Sequence, residues 1–165
     1  MYRIRAAAAS DAPQIAAFNL SMALETEQLQ LDESVLRSGV EAVFSEPGKT
    51  SAIYFVAEQE SERPPSTSSS SSPSAAVVVA CAMVTFEWSD WRDGRVWWLQ
   101  SVYCDPSHRR RGVFKRIYDF IRAEARRRGA RGLRLYADTT NERAHSVYEA
   151  LGMKTGHYQV FEDMF

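Results

Sequence analysis

The feature that most constrains the fold is a nearly unbroken apolar run at residues 95–105, which leads into a basic turn and an amphipathic helix. The run is too short to span a membrane and is typical of a central strand of a sheet. After it, Val113, Ile117 and Ile121 recur at helical spacing. The sequence therefore predicts a strand–loop–helix unit inside an α/β fold.

The remaining elements follow from periodicity and from helix start and stop signals. Strands are predicted at residues 2–5, 53–58, 77–85, 133–137 and 158–161. Helices are predicted after Ser10 or Asp11, at residues 33–44, from 113 to Gly129, and after a capping box at Thr139 and Glu142. This order predicts one domain over residues 1–165, with a mixed, mostly antiparallel sheet and helices on both faces.

Residues 61–76 contain eight serines and three prolines. A segment of this composition has too little apolar surface to form a packed core. We therefore expect a flexible loop inserted between two strands. A phosphorylation site is the alternative interpretation of the serines.

Composition excludes several classes of protein. The net charge of −1 argues against a general polyanion binder, although arginine is concentrated in residues 109–134. No apolar run is long enough for a membrane helix. Cys81 and Cys104 lie in apolar runs, which predicts reduced core thiols and a cytoplasmic location. We expect no metal site.

The basic turn before the third predicted helix is a candidate phosphate site. A helix N-terminus presents unsatisfied N–H groups, and Gly112 stands where a loop could bring such groups close to an anion. Arg109, Arg110, Arg111 and Lys115 could add charged contacts. By itself this pattern also fits an ordinary solvated surface. RNA binding is disfavoured because the cluster lacks the repeated basic and aromatic pattern that would support it.

Two motifs give this turn a more specific interpretation. Residues 102–106 followed by Arg109-x-x-Gly112-x-Phe114 resemble the strand and pyrophosphate loop of the GNAT (GCN5-related N-acetyltransferase) family, whose usual pattern is Gln/Arg-x-x-Gly-x-Gly/Ala. Residues 141–152, with the pattern Asn-x-x-Ala-x-x-x-Tyr-x-x-x-Gly, resemble a second signature of that family. Phe114 departs from the first pattern, and we expect its ring to point into the core while its amide faces phosphate.

The resemblance implies an acetyl-CoA-dependent N-acetyltransferase that acts by direct attack of a primary amine in a ternary complex. It implies that the pyrophosphate is held by Arg109, Arg110, Arg111, Gly112, Val113, Phe114 and Lys115. The strand edge at Val102, Tyr103 and Cys104 would pair with pantetheine and supply an N–H group to the thioester carbonyl. Asn141 and Ala144 would line the far side of the pantetheine. Tyr148 would protonate the departing thiolate, although at helical spacing it also fits a core aromatic.

The acceptor side is less defined. Gln100 stands near the strand position where many family members have glutamate, and it cannot act as a base. Glu25 and Glu27 lie in the segment that covers the acceptor site in this family. Trp88, Asp90 and Trp91 could wall the same pocket, with cation–π contacts to an ammonium group, or could form a hairpin stapled by its own tryptophans. A small cationic amine is our first expectation, ahead of a protein lysine or N-terminus.

Two alternatives remain at this stage. A non-catalytic acyl-CoA-binding sensor or interaction module would share every cofactor residue. A covalent route through Cys104 is conceivable, but a thiol on a buried strand is normally inert. Because family members often form dimers, a homodimer is an expected option.

Overall fold

The computed structural model of the chain describes residues 1–60, 76–156 and 158–165. These residues form two compact units, Met1–Leu135 and Tyr136–Phe165. Apart from Ala76, the predicted flexible loop at residues 61–76 lies outside the described residues, so its mobility stays a prediction.

The first unit is built on a five-stranded sheet in which the strands lie in the order of the chain. They are β1 (Tyr2–Ala6), β2 (Ala52–Gln59), β3 (Val77–Ser89), β4 (Gly94–Cys104) and β5 (Gly132–Arg134). Neighbours from β1 to β4 are antiparallel, and β5 runs parallel to β4. The predicted mixed, mostly antiparallel sheet is therefore confirmed. β3 continues past the predicted end at residue 85, which places Glu87 in a strand rather than in a loop.

The described residues of this unit form four α-helices: α1 (Ala12–Glu27), α2 (Glu33–Ser45), α3 (Pro47–Thr50) and α4 (Val113–Arg127). α2 begins where Asp32 accepts hydrogen bonds from the backbone N–H groups of Ser34 and Val35. α4 ends before Gly129, whose φ of 73° only glycine adopts without steric cost. The predicted helices at 33–44 and after residue 112 are thus confirmed, whereas the short α3 was not predicted.

Alternation along β2 divides the core into two layers. Tyr54 and Val56 belong to a buried cluster with residues of α1 and α2. On the opposite face, Phe55 packs edge-on against Phe120 of α4, with 5.8 Å between the ring centroids. Because successive strand residues point to opposite faces, helices cover both sides of the sheet, as predicted.

The second unit contains α5 (Glu142–Ala150), and two predictions about this unit are wrong. Asn141, not Thr139, is the N-cap of α5, because its side chain accepts the backbone N–H of Ala144 at 3.0 Å. Residues 158–161 do not form a strand. Tyr158 and Val160 are mostly exposed, and alternation alone cannot make a strand without a neighbouring edge to pair with.

The two cysteines are reduced, as predicted. Neither forms a disulfide, and burial raises the pKa of the Cys81 thiol to about 12, which makes it unreactive at neutral pH. Within residues 1–60, 76–156 and 158–165, no helix is long and apolar enough to cross a membrane.

A partly buried ion pair joins β1 to the start of α1. The Arg5 guanidinium donates to both carboxylate oxygens of Asp11, at 2.6 and 2.9 Å, and Asp11 also accepts the backbone N–H of Ala8. Asp11 is only 7% exposed, so an unpaired charge there would be costly. Asp11→Asn is expected to lower the free energy of unfolding at pH 7 by about 2 kcal/mol, measured by urea denaturation.

The Arg5 guanidinium holds the pKa of Asp11 below its ordinary value, so this stabilisation is present above about pH 4 and is lost as the pH falls through the lowered pKa. The difference between wild type and Asp11→Asn should therefore shrink at pH 3. As a control, Asp119→Asn removes an exposed partner of Lys115 and should change stability by less than about 1 kcal/mol. An undiminished difference at pH 3 would contradict the assignment.

Candidate active site

The turn before α4 is shaped by two residues in the left-handed backbone region. Arg110 has a φ of 62°, and Gly112, the N-cap of α4, has a φ of 74°. No side chain caps this helix, and the N–H groups of its first turn have no acceptor inside the helix. The turn therefore presents backbone N–H groups and the positive end of a helix dipole, which together favour an anion.

Arg109 is occupied by contacts within the protein. Its Nη2 donates to Glu25 Oε2 at 2.6 Å, and its Nε donates to the Cys104 carbonyl at 2.9 Å. The guanidinium also lies over the Tyr103 ring, 5.3 Å from the centroid. Arg109 thus joins the end of α1, the end of β4 and the start of the turn.

The same cluster sets the protonation of Glu25 and Tyr103. The Tyr103 hydroxyl donates to Glu25 Oε1 at 2.6 Å. This hydrogen bond and the neighbouring Arg109 lower the pKa of Glu25, so it is ionised at neutral pH. Burial, followed by the Glu25 contact, raises the pKa of the Tyr103 phenol, so Tyr103 keeps its proton. The predicted acceptor-binding Glu25 is therefore already paired with Arg109.

The other basic residues of the turn differ in whether they already form an ion pair within the protein. Lys115 pairs with Asp119 one helical turn later. Arg110 and Arg111 are exposed, and neither has an ion-pair partner among the described residues. They are the cations of the turn that can approach a bound phosphate without losing a contact first.

Beyond Trp98, the edge of β4 that faces away from β3 is no longer paired with β5. β5 pairs with it only from Val96 to Trp98, although β4 continues to Cys104. The Asp105 N–H donates to the Val79 carbonyl at 2.9 Å, so the backbone groups of Asp105 face β3. Because the backbone groups of successive strand residues face opposite edges, the N–H and C=O groups of Val102 face away from β3. From residue 99 onward, no strand among the described residues of the first unit pairs along this edge. The edge can therefore accept an extended ligand that carries amide groups.

A bulge interrupts β4 directly before this edge. Cys81 is paired with Tyr103, but Met83 is paired with Gln100, so Ser101 and Val102 together oppose a single residue of β3. Ser101 has a φ of 47°, which is uncommon for a residue other than glycine. The bulge shifts the alternation of β4 by one residue.

A row of polar side chains follows the face of β3 and β4 beside the bulge. Gln100 Nε2 donates to Thr85 Oγ1 at 2.8 Å. Further along, the two carboxylate oxygens of Glu87 accept from Trp98 Nε1 at 2.5 Å and from Arg134 Nη1 at 2.8 Å. All five side chains are only partly exposed. Glu87 pairs with Val96 and lies four residues along β3 from Met83, the partner of Gln100.

The hairpin between β3 and β4 contains the predicted tryptophans. Trp88 is 63% exposed and Trp91 is 86% exposed, so they do not staple the hairpin. Trp88 is paired with Arg95, eight positions before Tyr103 on β4. At about 3.3 Å per residue, this places the hairpin roughly 26 Å from the Glu25 cluster. The structure therefore does not bring Trp88, Asp90 and Trp91 together with Glu25 and Glu27.

In the second unit, Asn141, Ala144 and Tyr148 lie at i, i+3 and i+7, so they share one face of α5. The Asn141 oxygen caps the helix, which leaves its amide Nδ2 to contact a ligand. Burial raises the pKa of Tyr148, so the phenol stays protonated at neutral pH. Gly152 follows the helix with a φ of 81°.

Comparisons with known proteins agree with this geometry. Residues 24–153 match the model of the acetyltransferase (GNAT) family. The chain belongs to the GNAT acetyltransferase family. Its structure is similar to that of a possible acetyltransferase from Clostridium difficile 630, with 33% identity and a TM-score of 0.81 over 100% of this chain and 98% of that one.

Two more distant structures share the fold. One is an acetyltransferase with acetyl-CoA from Clostridium acetobutylicum, with 15% identity and a TM-score of 0.72 over 99% of this chain and 96% of that one. The other is glucosamine-6-phosphate N-acetyltransferase from Arabidopsis thaliana, with 18% identity and a TM-score of 0.68 over 100% and 99% of the two chains. A comparison with curated proteins gave no match.

As a GNAT acetyltransferase, the chain is an N-acetyltransferase that uses acetyl-CoA. Its own residues fit this cofactor. A Cβ added at Gly112 would meet nothing within 4 Å, so no neighbouring atom crowds this point of the turn. The open edge of β4 lies directly before this turn in the chain.

Sequence reasoning missed three groups in the first unit of this acetyltransferase: the Arg109–Glu25 pair, the β4 bulge at Ser101, and the Glu87–Trp98–Arg134 cluster. The residues of the first group lie 84 positions apart, so spacing gives no signal for it. If β3 had been predicted to extend beyond residue 85, Glu87 would have been placed opposite β4, because the lengths of two hairpin strands determine which residues pair.

Arg109 is expected to act on this acetyltransferase through Glu25. Arg109→Ala and Glu25→Gln should each raise the KM for acetyl-CoA by a similar factor, because each releases the turn from α1. A double-mutant cycle should give a coupling of about 1 kcal/mol, a modest value because both side chains are partly exposed. If only Arg109→Ala raised KM, direct phosphate binding by Arg109 would explain the data better.

Proposed function

We propose that this chain transfers the acetyl group of acetyl-CoA directly to a primary amine, with both substrates bound and no acetyl-enzyme. The observation that carries the proposal is the open edge of β4, which follows a bulge and leads into the left-handed turn before α4.

On the donor side, the proposed pyrophosphate site uses the backbone N–H groups of residues 110–115, including Val113 and Phe114, with Gly112 at the closest approach. Arg110 and Arg111 add charge, while Arg109 and Lys115 act from within their ion pairs. Val102, Tyr103 and Cys104 form the strand edge for the pantetheine amides. Asn141 and Ala144 are proposed to contact the pantetheine, as the family resemblance implies.

Acetyl-CoA supplies the acetyl group as a thioester. In the proposed reaction the neutral amine nitrogen attacks the carbonyl carbon, so that an N–C bond forms and the C–S bond breaks. The Val102 N–H is proposed to stabilise the negative charge that develops on the carbonyl oxygen. Tyr148 gives its proton to the departing sulfur, and the surplus proton of the amine leaves to water or to a nearby base.

For the acceptor, a small cationic amine is proposed ahead of a protein lysine or N-terminus. The support is a pair of carboxylates at the end of α1, Glu25 and Glu27, and Glu25 lies against Tyr103 of β4. These carboxylates would attract an ammonium group before it loses its proton. Trp88, Asp90 and Trp91 lie at the other end of β4, so we leave them outside the acceptor site.

We further propose that the whole chain is one N-acetyltransferase domain, because the family match at residues 24–153 extends into both compact units. Two reduced cysteines fit a reducing compartment such as the cytoplasm. A homodimer stays an expectation drawn from the family.

The proposal is tested by steady-state kinetics with free-thiol detection and a panel of amines. Intersecting initial-velocity patterns are expected with the best acceptor, and Cys104→Ala should retain most of the activity. Parallel lines together with a stable acetyl-protein adduct would overturn the direct route. A clear preference for peptide lysines over small amines would overturn the acceptor class.

A further inference from the structure

Buried polar side chains of α1 and β2 lie near the β4 bulge, and the proposed mechanism does not otherwise use them. Asn19 on α1 is 5% exposed, and its Nδ2 donates to the Tyr54 hydroxyl at 3.3 Å. Tyr54 pairs with Met83, which pairs with Gln100 next to Ser101, so the Tyr54 hydroxyl is close enough to the Ser101 side chain to interact with it. Tyr54 is itself buried, at 4% exposed.

These contacts meet at the one residue of β4 in a left-handed conformation. Ser101, at a φ of 47°, is strained relative to glycine in the same conformation. Its carbonyl lies 3.7 Å from the Cys81 sulfur, which donates to it. Ser101 is therefore held through its side chain by Tyr54 and through its backbone by Cys81.

The conformation of Ser101 decides where the next N–H group points. Backbone groups of a strand alternate between its two edges, so a shift of one residue turns each of them to the other edge. With the bulge in place, the Val102 N–H faces the open edge. Without it, the same N–H would turn towards β3, where a bound thioester could not reach it.

We infer that Asn19 and Tyr54 are positioning residues, which hold Ser101 in the bulge so that the Val102 N–H faces the acetyl group. This inference rests on the proposed function. The Asn19 Oδ1 atom has no hydrogen-bond partner among the described residues. The amide therefore acts on this network through its bond to Tyr54, whose hydroxyl it orients towards Ser101.

The test is a rescue experiment. Tyr54→Phe removes only the hydroxyl and is expected to lower kcat by about 10-fold or more, with the KM for acetyl-CoA changed by less than about 2-fold; loss of an oxyanion donor lowers kcat by roughly 100- to 1,000-fold, and here the donor is displaced rather than removed. Ser101→Gly should be active alone, because glycine adopts a positive φ without strain. The double variant Tyr54→Phe, Ser101→Gly should recover most of the lost kcat.

A matched control separates positioning from stability. Val40→Ala trims a residue that is 2% exposed in the same core cluster, so it should lower thermal stability while leaving kcat unchanged. A second readout, measured by calorimetry, needs no acceptor: the Kd for CoA divided by the Kd for acetyl-CoA. Only acetyl-CoA carries the carbonyl that the Val102 N–H would contact, so this ratio should fall in Tyr54→Phe and recover in the double variant.

Several outcomes would overturn the inference while the proposed function stands: an unchanged kcat in Tyr54→Phe, no recovery in the double variant, or an equal loss of kcat in Val40→Ala. If the wild-type protein bound neither CoA nor acetyl-CoA, the proposed function would fail and the inference with it.

Discussion

Replacing Gly112 by glutamate is expected to abolish acetyl-CoA binding while the protein stays folded. A glutamate at the N-cap of α4 would place a carboxylate in front of the same N–H groups that are proposed to hold the pyrophosphate. It would also force a residue with a side chain into a φ of 74°. Calorimetry should show a loss of affinity of at least about 100-fold, which corresponds to roughly 2.7 kcal/mol.

The other end of the same helix offers a matched control. Gly129 has a φ of 73°, and an added Cβ there also meets nothing within 4 Å. Gly129→Glu therefore introduces a similar backbone strain and the same charge, away from the proposed cofactor site. It should bind acetyl-CoA with nearly wild-type affinity, and an equal loss in both variants would mean that strain, not the site, explains the effect.

Single arginine substitutions should have smaller effects at this turn. Arg110→Ala and Arg111→Ala each remove one exposed cation but leave the backbone N–H groups in place. Each should weaken acetyl-CoA binding by less than about 10-fold, more at low salt than at high salt. This contrast tests whether affinity depends on the amides around Gly112.

Replacing Tyr148 by phenylalanine should lower kcat by about 100-fold, because a positioned general acid typically contributes 100- to 10,000-fold. The KM for acetyl-CoA should change little, since the ring stays and only the hydroxyl is lost. Tyr118→Phe, at a buried tyrosine of α4, is the control and should be fully active. A loss of kcat below 3-fold, as a rough limit, would assign Tyr148 to packing alone.

The pH profile gives a second test of this role. Burial raises the pKa of Tyr148 above its ordinary value of 10.0, and the proposed acid is active only when protonated. Activity through this group is therefore present at neutral pH and is lost only as the pH rises through the raised pKa. Wild-type kcat should show no fall that depends on Tyr148 below about pH 10. A fall near pH 8 that disappears in Tyr148→Phe would contradict the assignment.

The fold was predictable where local pattern and burial agree. The apolar run that became β4 and the spacing of Val113, Ile117 and Ile121 in α4 each specify one element, and both were predicted within about two residues. The predicted strand at 158–161 shows the limit. Alternation there is clear, but a strand also requires a partner edge, which the sequence of one segment does not encode.

The proposed site residues could be named from the sequence where they form continuous motifs. Gly112 has a local cause, because a glycine directly before a helix suits a turn with a positive φ, whereas Asn141 was named through the resemblance and its place as the N-cap of α5 was not predicted. The contacts between Arg109 and Glu25, and between Tyr54 and Ser101, join segments far apart in the chain. They depend on strand register and on a bulge, and neither of these has a signal in residue spacing.

Stoichiometric acetyl transfer tests the central claim most directly. Purified protein would be incubated with acetyl-CoA and the amine panel, with free thiol and product mass measured on the same samples. We predict amine-dependent thiol release matched by an equal amount of acetylated amine, abolished in Gly112→Glu and retained in Gly129→Glu. Tight binding of acetyl-CoA without amine-dependent product across the panel would contradict the account and favour a non-catalytic acyl-CoA-binding module.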